Sequence, residues 1–373
     1  MSDSRHHSER SSSPASTTGA NDREHFGTFE LATVLSNFDI GTIENIKEFQ
    51  RGSRKSPKLI ITTSTGKYLL KRRATGKDAP ARVAFCHQLQ MHLATKHFPL
   101  PHLIGTKEDN NSMLCCHGTT YELFEYIQGK SYDNSLDATE DAGKILGLFH
   151  KLLAGFESDY EPAKGSYHDS PSVTAAMETL PRTLAKTDPD NAKRSNEIRQ
   201  VGQSLRCRYA EASAHVLEAG FSNWPRQIVH SDWHPGNMLF AGSQILAVID
   251  YDMARIEQRV VDVANGALQF SIVAAGNDPS RWPSHMDMQR FQRFVSGYES
   301  DPACMLSRAE IKTVPDLMTE ALIAECVIPI AATGSFARMQ GLDFLKMVEG
   351  KVRWLADHRD EFIQVLEISA EML

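Results

Sequence analysis

Two carboxylates and one amide stand at intervals that suit chemistry on a phosphate. Asp232 follows a short β-like segment, Arg226-Gln227-Ile228-Val229, inside the run His230-Ser231-Asp232-Trp233-His234-Pro235-Gly236-Asn237. Asn237 comes after Pro235-Gly236 has turned the chain. A second apolar run, Ile245 to Ile249, then delivers Asp250 at its exit. Hard divalent cations such as Mg²⁺ take oxygen ligands, which the Asn237 amide and the Asp250 carboxylate offer. A loop carboxylate such as Asp232 can orient a hydroxyl and accept its proton. Phosphoryl transfer from ATP asks for these groups and for a cation on the phosphates. His230 is expected to brace the loop by hydrogen bonds. His234 is open between contacting an acceptor and orienting the loop, and Asp252 between the metal and local bonding. Zinc on His230, His234 and Asp232 is conceivable from ligand types, but Asn237 and Asp250 already have magnesium roles.

The elements that must hold these residues come in two blocks. From Ile43 to Arg73 the chain is β-rich: Ile43 to Gln50, the β-branched run Leu59 to Thr63, and Lys67 to Arg72, separated by turn residues at Gly52 to Pro57 and Ser64 to Gly66. Ala79 to His97 has a helical period and ends before Pro99 and Pro101. Met113 to Cys116 and Tyr121 to Ile127 read as further strands. Beyond Gly129 the pattern turns helical. Asp137-Ala138-Thr139-Glu140 has capping-box spacing ahead of the stripe Ile145, Leu146, Phe149, Leu152, Leu153. Asn191 to Ala219 is a long charged helix. From Asp262 to Leu373 helices are expected, broken near Pro283, Pro302 and Pro315. Residues 1–26 hold almost no large apolar side chains, so they are expected to be a disordered tail.

The general kinase signature places Asp and Asn at this same interval and follows them with D-F-G. Here Ser231 replaces the Arg of that signature, and Asp250-Tyr251-Asp252 replaces D-F-G. The stretches Val229 to Leu239 and Val248 to Arg255, with Asp262-Val263-Ala264 behind them, resemble the aminoglycoside phosphotransferase, choline kinase and homoserine kinase superfamily, whose loop reads H-G-D-x-H-x-x-N. The resemblance in lobe order spans residues 27–373, with the specific motifs in 228–264. It implies an α+β, protein-kinase-like two-lobe fold. A small N-terminal antiparallel-sheet lobe with one helix, residues 27–127, binds nucleotide. A large, mostly helical lobe, residues 128–373, carries the catalytic loop and the acceptor site.

The resemblance also assigns the nucleotide side. On the third strand Leu69 and Lys71 share a face, as in V-A-I-K, which makes Lys71 the phosphate-binding lysine; a solvated basic strand end, or Arg72 or Arg73 in a shifted register, are the other readings. No G-x-G-x-x-G is present. Gly52 to Ser56 takes the place of the phosphate-covering loop, with Ser53 able to cap phosphates, or is a plain hairpin turn. Tyr121 to Gly129 resembles the strand-to-linker segment whose backbone binds adenine, pointing to Glu125 and Ile127. The helix after the third strand normally pairs the lysine with a glutamate, yet between Ala79 and Phe98 there is no Asp or Glu. Asp78 is then a candidate, or the pair is missing.

Composition bounds the partners. The net charge of −7 argues against nucleic acid, which wants a basic surface. No run spans a bilayer and no signal peptide opens the chain, so a cytoplasmic location is expected. The six cysteines have no metal-ligand spacing. The expected activity is transfer of the ATP γ-phosphate to a small-molecule hydroxyl on an aminoglycoside, amino alcohol, homoserine or sugar. A protein kinase and a nucleotide-binding pseudokinase on the same fold are the alternatives. Glu320, Glu325 and Asp343 are acidic candidates toward a cationic acceptor, though solvated helix faces explain them equally. Oligomeric state is open.

Overall fold

A computed structural model describes residues 23–372 apart from residues 51, 188, 277, 279, 280 and 338. The chain divides into two compact units, residues up to Asp78 with Ile104–Leu123, and Ala79–Leu103 with Phe124 onward. Residues 1–22 of the expected tail lie outside the described residues. Arg23 is held, donating to the Gln50 carbonyl at 2.7 Å.

In the first unit, helix α1 (Thr28–Leu35) precedes strands β1 (Ile43–Glu48), β2 (Lys58–Thr63), β3 (Gly66–Arg72), β4 (Leu114–Cys116) and β5 (Thr119–Glu125). The sheet order is β1-β2-β3-β5-β4, and the β1–β2, β2–β3 and β4–β5 pairs are antiparallel. Alternation works as the sequence requires: Leu59 and Ile61 of β2 and Leu70 of β3 face a core shared with Val34, Phe38, Tyr121 and Leu123. Helix α1 was not expected. Its entry is fixed by Glu30, whose carboxylate accepts from the Gly27 N–H at 3.0 Å.

The second unit is mostly helical. It begins with α2 (Pro80–Thr95), whose Phe85, Leu89 and Leu93 join this unit's core. Helices α3 (Leu136–Leu152), α4 (Pro171–Thr187) and α5 (Ser195–Glu218) follow. The cap of α3 is Ser135, which accepts from the Ala138 N–H at 3.2 Å, rather than Asp137. A serine hydroxyl in extended backbone reaches the third amide, whereas Asp137 is already helical. Two antiparallel hairpin-like pairs come next, β6 (Arg226–Val229) with β9 (Arg255–Gln258) and β7 (Met238–Ala241) with β8 (Gln244–Val248). The remainder is α6 (Val260–Ser271), α7 (Met288–Tyr298), α8 (Arg308–Thr333), the short pair β10 (Ser335–Phe336) and β11 (Met339–Gln340), α9 (Gly341–Asp357) and α10 (Arg359–Met372).

Helix α8 is the spine, packed by α4, α5, α6, α9 and α10. Pro315 and Pro329 lie inside it without ending it, contrary to the expected break at Pro315. Each costs a backbone hydrogen bond; burial of the surrounding residues, from Val314 to Ala324 without interruption, keeps the helix whole. Helices α3 and α7 cross backbone to backbone at two glycines. A Cβ on Gly143 would lie 2.0 Å from the Phe294 carbonyl, and one on Gly297 2.1 Å from that of Glu140. No helix among the described residues is long and apolar enough to cross a membrane. The six cysteines are free.

Candidate functional site

The loop between β6 and β7 carries Asp232 and Asn237, and its shape is imposed from beneath. Asp262, in the first turn of α6 and fully buried, accepts from the backbone N–H groups of His230 at 2.5 Å and Ser231 at 2.7 Å. His150 of α3 lies 3.3 Å from the same carboxylate, and its other ring nitrogen meets the Tyr298 hydroxyl at 3.0 Å. The pull on two successive amides holds Ser231 at φ 64°, a left-handed backbone that side chains other than glycine rarely adopt. That accounts for the glycine common at this place in the H-G-D pattern. Arg255 offsets the strain, its Nε donating to the Ser231 hydroxyl at 2.8 Å while Nη1 donates to the Gly165 carbonyl at 2.6 Å.

Asp232 and Asn237 are brought together. The Asn237 amide nitrogen donates to the Asp232 carbonyl at 3.0 Å and to its carboxylate at 2.8 Å. The Asn237 amide oxygen is therefore the atom left for a cation. His234 accepts from the Gly236 N–H at Nδ1 (3.0 Å) and places Nε2 3.5 Å from the Asp232 carboxylate. Burial pushes the Asp232 carboxyl up, but the hydrogen bonds from His234 and Asn237 outweigh it and hold the group below the usual aspartate range. Asp232 is thus an ionised, half-buried acceptor.

Asp250 follows β8, as expected, at φ 66°. The Ile249 N–H donates to the Asn237 carbonyl at 2.9 Å, tying the strand exit to the loop. Its exposed carboxylate has no hydrogen bond or ion pair among the described residues. A carboxylate and an amide oxygen, both without a protein donor, suit a hard cation such as Mg²⁺. The zinc alternative does not fit. Among the described residues no three His, Cys, Asp or Glu side chains are grouped to hold a metal ion. The His230 ring is fully buried against Phe149, Trp233 and Tyr251. Neither of its ring nitrogens has a hydrogen-bond partner among the described residues, so it braces the loop by packing and not by the expected hydrogen bonds. Burial also depresses its affinity for a proton. Asp252 lends its carbonyl to Arg82 at 3.3 Å.

In the same unit the segment after β5 is pinned to β7. Lys130 and Phe240 exchange backbone hydrogen bonds of 2.8 and 2.9 Å, and Gly129 lies so close to Leu239 that a Cβ would stand 2.6 Å away. The Glu125 N–H donates to the His102 carbonyl at 2.9 Å and is spent. Ile127 makes no hydrogen bond among the described residues, so its N–H and carbonyl remain available to a ligand.

In the sheet unit Lys71 stands half-buried on the face opposite Leu70. The acid that α2 lacks comes from the neighbouring strand: Glu122 of β5 lies 3.6 Å from the Lys71 ammonium. Glu122 is fully buried and also accepts from Arg73 at two oxygens, 2.9 and 2.7 Å. Arg72 pairs with Glu24 and Glu30. Asp78, the sequence candidate, accepts from Gly76 N–H at 2.9 Å. The Ser53 hydroxyl closes its own turn by accepting from the Lys55 N–H at 3.3 Å.

Sequence reasoning gave no role to Asp262, Arg255 or His150, although Asp262 stood in the quoted motif. It left Glu320, Glu325 and Asp343 between acidic candidates toward a cationic acceptor and solvated helix faces. Glu320 is instead buried against His168 at 2.8 Å, and Asp343 pairs with Arg194 at 3.0 Å. Glu325 of α8 accepts from Asn265 of α6 at 2.5 Å and also from Gln269, and it feels the charges of Asp232 and His234. Burial lifts its carboxyl to about 7. Tyr298, Trp282 and Trp354 do not converge: each packs in a different place, on His150, Phe344 and His358.

The model of a family described as phosphotransferase enzyme family matches residues 45–305. A homoserine kinase of Zymomonas mobilis is 25% identical over 241 residues, which are 63% of this chain and 68% of the relative. Among solved structures, an aminoglycoside phosphotransferase from Alicyclobacillus acidocaldarius is 18% identical with a TM-score of 0.62, covering 95% of this chain and 99% of its own. A spectinomycin phosphotransferase solved with ADP and spectinomycin is 14% identical with a TM-score of 0.60, covering 91% of this chain and all of its own (100%). The fold is the α+β, protein-kinase-like one that the motifs implied, an antiparallel sheet followed by a mostly helical region.

Proposed function

The chain belongs to the phosphotransferase enzyme family, and from that premise we propose that it moves the γ-phosphoryl group of ATP to a hydroxyl of a small molecule, with Asp232 as the base. The observation that carries this reading is the Asp232–Asn237 pair: one amide fixes the carboxylate and leaves its own oxygen for a cation. The ionised Asp232 carboxylate accepts the hydroxyl proton as the oxygen attacks, and His234 and the Asn237 amide keep it aimed. Asn237 and Asp250 are assigned to hold Mg²⁺, which when bound neutralises charge on the phosphates. Lys71, steadied by Glu122, is assigned to the phosphates, with Ser53 as a contributor. Ile127, through backbone N–H and carbonyl, is assigned to the adenine edge, and Glu125 through its carbonyl alone. A neighbour in this fold was solved with ADP and spectinomycin, and a relative in sequence is a homoserine kinase; both support a nucleotide and a small hydroxyl compound here.

The Glu122 carboxylate beside Lys71 removes the feature that favoured a non-catalytic reading, the acid missing from α2. The test is ATP turnover with Mg²⁺ over aminoglycosides, amino alcohols, homoserine and sugars. Asp232→Ala is expected to lower kcat by about 10²–10⁴-fold with ATP binding retained. Unchanged turnover in that variant defeats the assignment.

A further inference from the structure

The residues ahead of α1 lie on the turn between β1 and β2, and the proposed phosphoryl chemistry gives them no role. Three in a row are anchored there. The Arg23 guanidinium donates to the carbonyls of Gln50 at 2.7 Å, Ser53 at 3.3 Å and Gly52 at 3.4 Å. The Glu24 N–H donates to the Arg54 carbonyl at 3.0 Å, and its carboxylate accepts from Arg72 at 2.9 Å. His25 Nδ1 stands 2.6 Å from the Glu48 carboxylate. Carbonyls drawn to one guanidinium decide where the amides point. In a trans peptide the C=O of one residue and the N–H of the next point in opposite directions. With the Gly52 carbonyl turned to Arg23, the Ser53 N–H is turned away from it. That N–H makes no hydrogen bond among the described residues. The Ser53 hydroxyl accepts from the Lys55 N–H and keeps its own proton to donate.

Cations stand at the same turn. A Cβ on Gly52 would lie 2.7 Å from Lys58 Nζ, so that ammonium occupies the place a side chain would take. Lys58 and Lys71 are direct partners in the β2–β3 register, so both side chains leave the same face of the sheet. An amide N–H, a hydroxyl and two ammoniums are the donors that a polyphosphate takes. The carbonyls that would repel it are held by Arg23. We infer that Arg23 is a positioning residue for nucleotide binding: it sets the Gly52–Ser56 turn so that the Ser53 N–H and the Lys58 ammonium meet the phosphates assigned to Lys71. This rests on the phosphotransferase reading and adds to it two residues outside the motifs that carry that reading. The opposing view makes residues 23–25 a strap that only fastens the segment to β1. A strap would change stability and leave nucleotide affinity alone.

The experiment is a calorimetric titration of the full chain with MgATP, beside Arg23→Ala, Arg23→Lys and Lys58→Met, with the thermal midpoint of each unliganded protein. Arg23→Ala is expected to weaken MgATP about tenfold, because the nucleotide must then order the turn itself. Arg23→Lys keeps the charge without the fork and is expected to recover only part of that affinity. Lys58→Met keeps the apolar stem and is expected to weaken MgATP about tenfold as well. In turnover the Arg23→Ala loss is expected in KM for ATP, with kcat retained at saturating ATP. If Arg23→Ala does not fold, Arg23→Lys and Lys58→Met decide. Full MgATP affinity in a folded Arg23→Ala or in Lys58→Met, full affinity in Arg23→Lys, or a fall in kcat with KM unchanged overturns the inference and leaves the phosphotransferase assignment standing. No MgATP binding by the unaltered chain overturns both. Affinity that depends on Arg23 and Lys58, with no phosphoryl transfer to any acceptor, supports the inference and overturns the phosphotransferase assignment.

Discussion

At the scale of single residues, the site is organised by which lone pairs are already spent. Asn237 gives its nitrogen to Asp232, and Asn265 gives its own to Glu325, so each presents an oxygen. The two carboxylates they serve differ in charge. Asp232 is held below the usual range by donors, while burial lifts Glu325 to about 7. The sign of the stability effect follows from linkage. Between pH 4.5 and about 7 the folded chain keeps a proton on Glu325 that the unfolded chain has released, so the stability this group contributes falls as pH rises through that window and is lost above about 7. Glu325→Gln has no such proton. The difference in unfolding free energy, unaltered chain minus Glu325→Gln, is expected to fall across that window and to level off above it. Urea unfolding of both proteins through that window reads the difference. Parallel curves would show that Glu325 is ionised in the fold throughout.

At the scale of elements, the β6–β7 loop owes its shape to α6. Asp262 satisfies two loop amides and meets His150, so one carboxylate joins a strand end, the Asp232 loop and α3. Asp262→Ala leaves two buried N–H groups without an acceptor, and is expected to cost about 2–4 kcal/mol of stability. Urea unfolding checks this as a lowered midpoint with an unchanged slope. Activity is expected to fall further than stability alone explains, because Ser231 at φ 64° has lost one of the two contacts that hold it there. This anchoring also shows where sequence stops being legible. Asp232, Asn237 and Asp250 were readable because they lie within one local run, where spacing and two apolar strands fix their order. Asp262, thirty residues past Asp232, gains its role only through the β6–β9 pairing that returns the chain. Glu122 lies 51 residues beyond Lys71 and meets it across the adjacent strands β3 and β5. Glu325 needs the packing of α6 on α8, which brings it to Asn265, 60 residues earlier in the chain. Strands β7 and β9, four residues each, are too short for a period to declare itself. The sheet of the first unit was readable because its strands alternate and are separated by turn residues.

At the scale of the whole molecule, two separate cores serve two units, and the larger one contains a buried cation. Lys351 of α9 is 1% exposed, and its ammonium donates to the Val273 carbonyl at 3.1 Å and the Pro283 carbonyl at 2.7 Å. No carboxylate is paired with it in these contacts. Burial lowers its proton affinity from the ordinary 10.5 to about 8. Between those two values the unfolded chain keeps a proton on this amine that the folded chain has released. Stability contributed by Lys351 therefore rises with pH across that window, is complete above 10.5, and is lost as pH falls through about 8. The rest of the molecule pulls the other way. A chain of net charge −7 becomes more negative as pH rises, and its self-repulsion grows. Total stability is thus a poor readout, and the comparison with Lys351→Met isolates the lysine. Methionine fills similar volume without a charge, although it leaves the two carbonyls without their donor. That second loss is independent of pH and shifts the variant's curve by a constant. The difference in unfolding free energy, unaltered chain minus Lys351→Met, is expected to be flat in mildly acid and neutral solution and to climb between pH 8 and 10.5. Urea unfolding of both proteins across that range gives the difference directly. Parallel curves throughout would mean that Lys351 stays charged in the fold, with its two carbonyl bonds sufficient to hold it so.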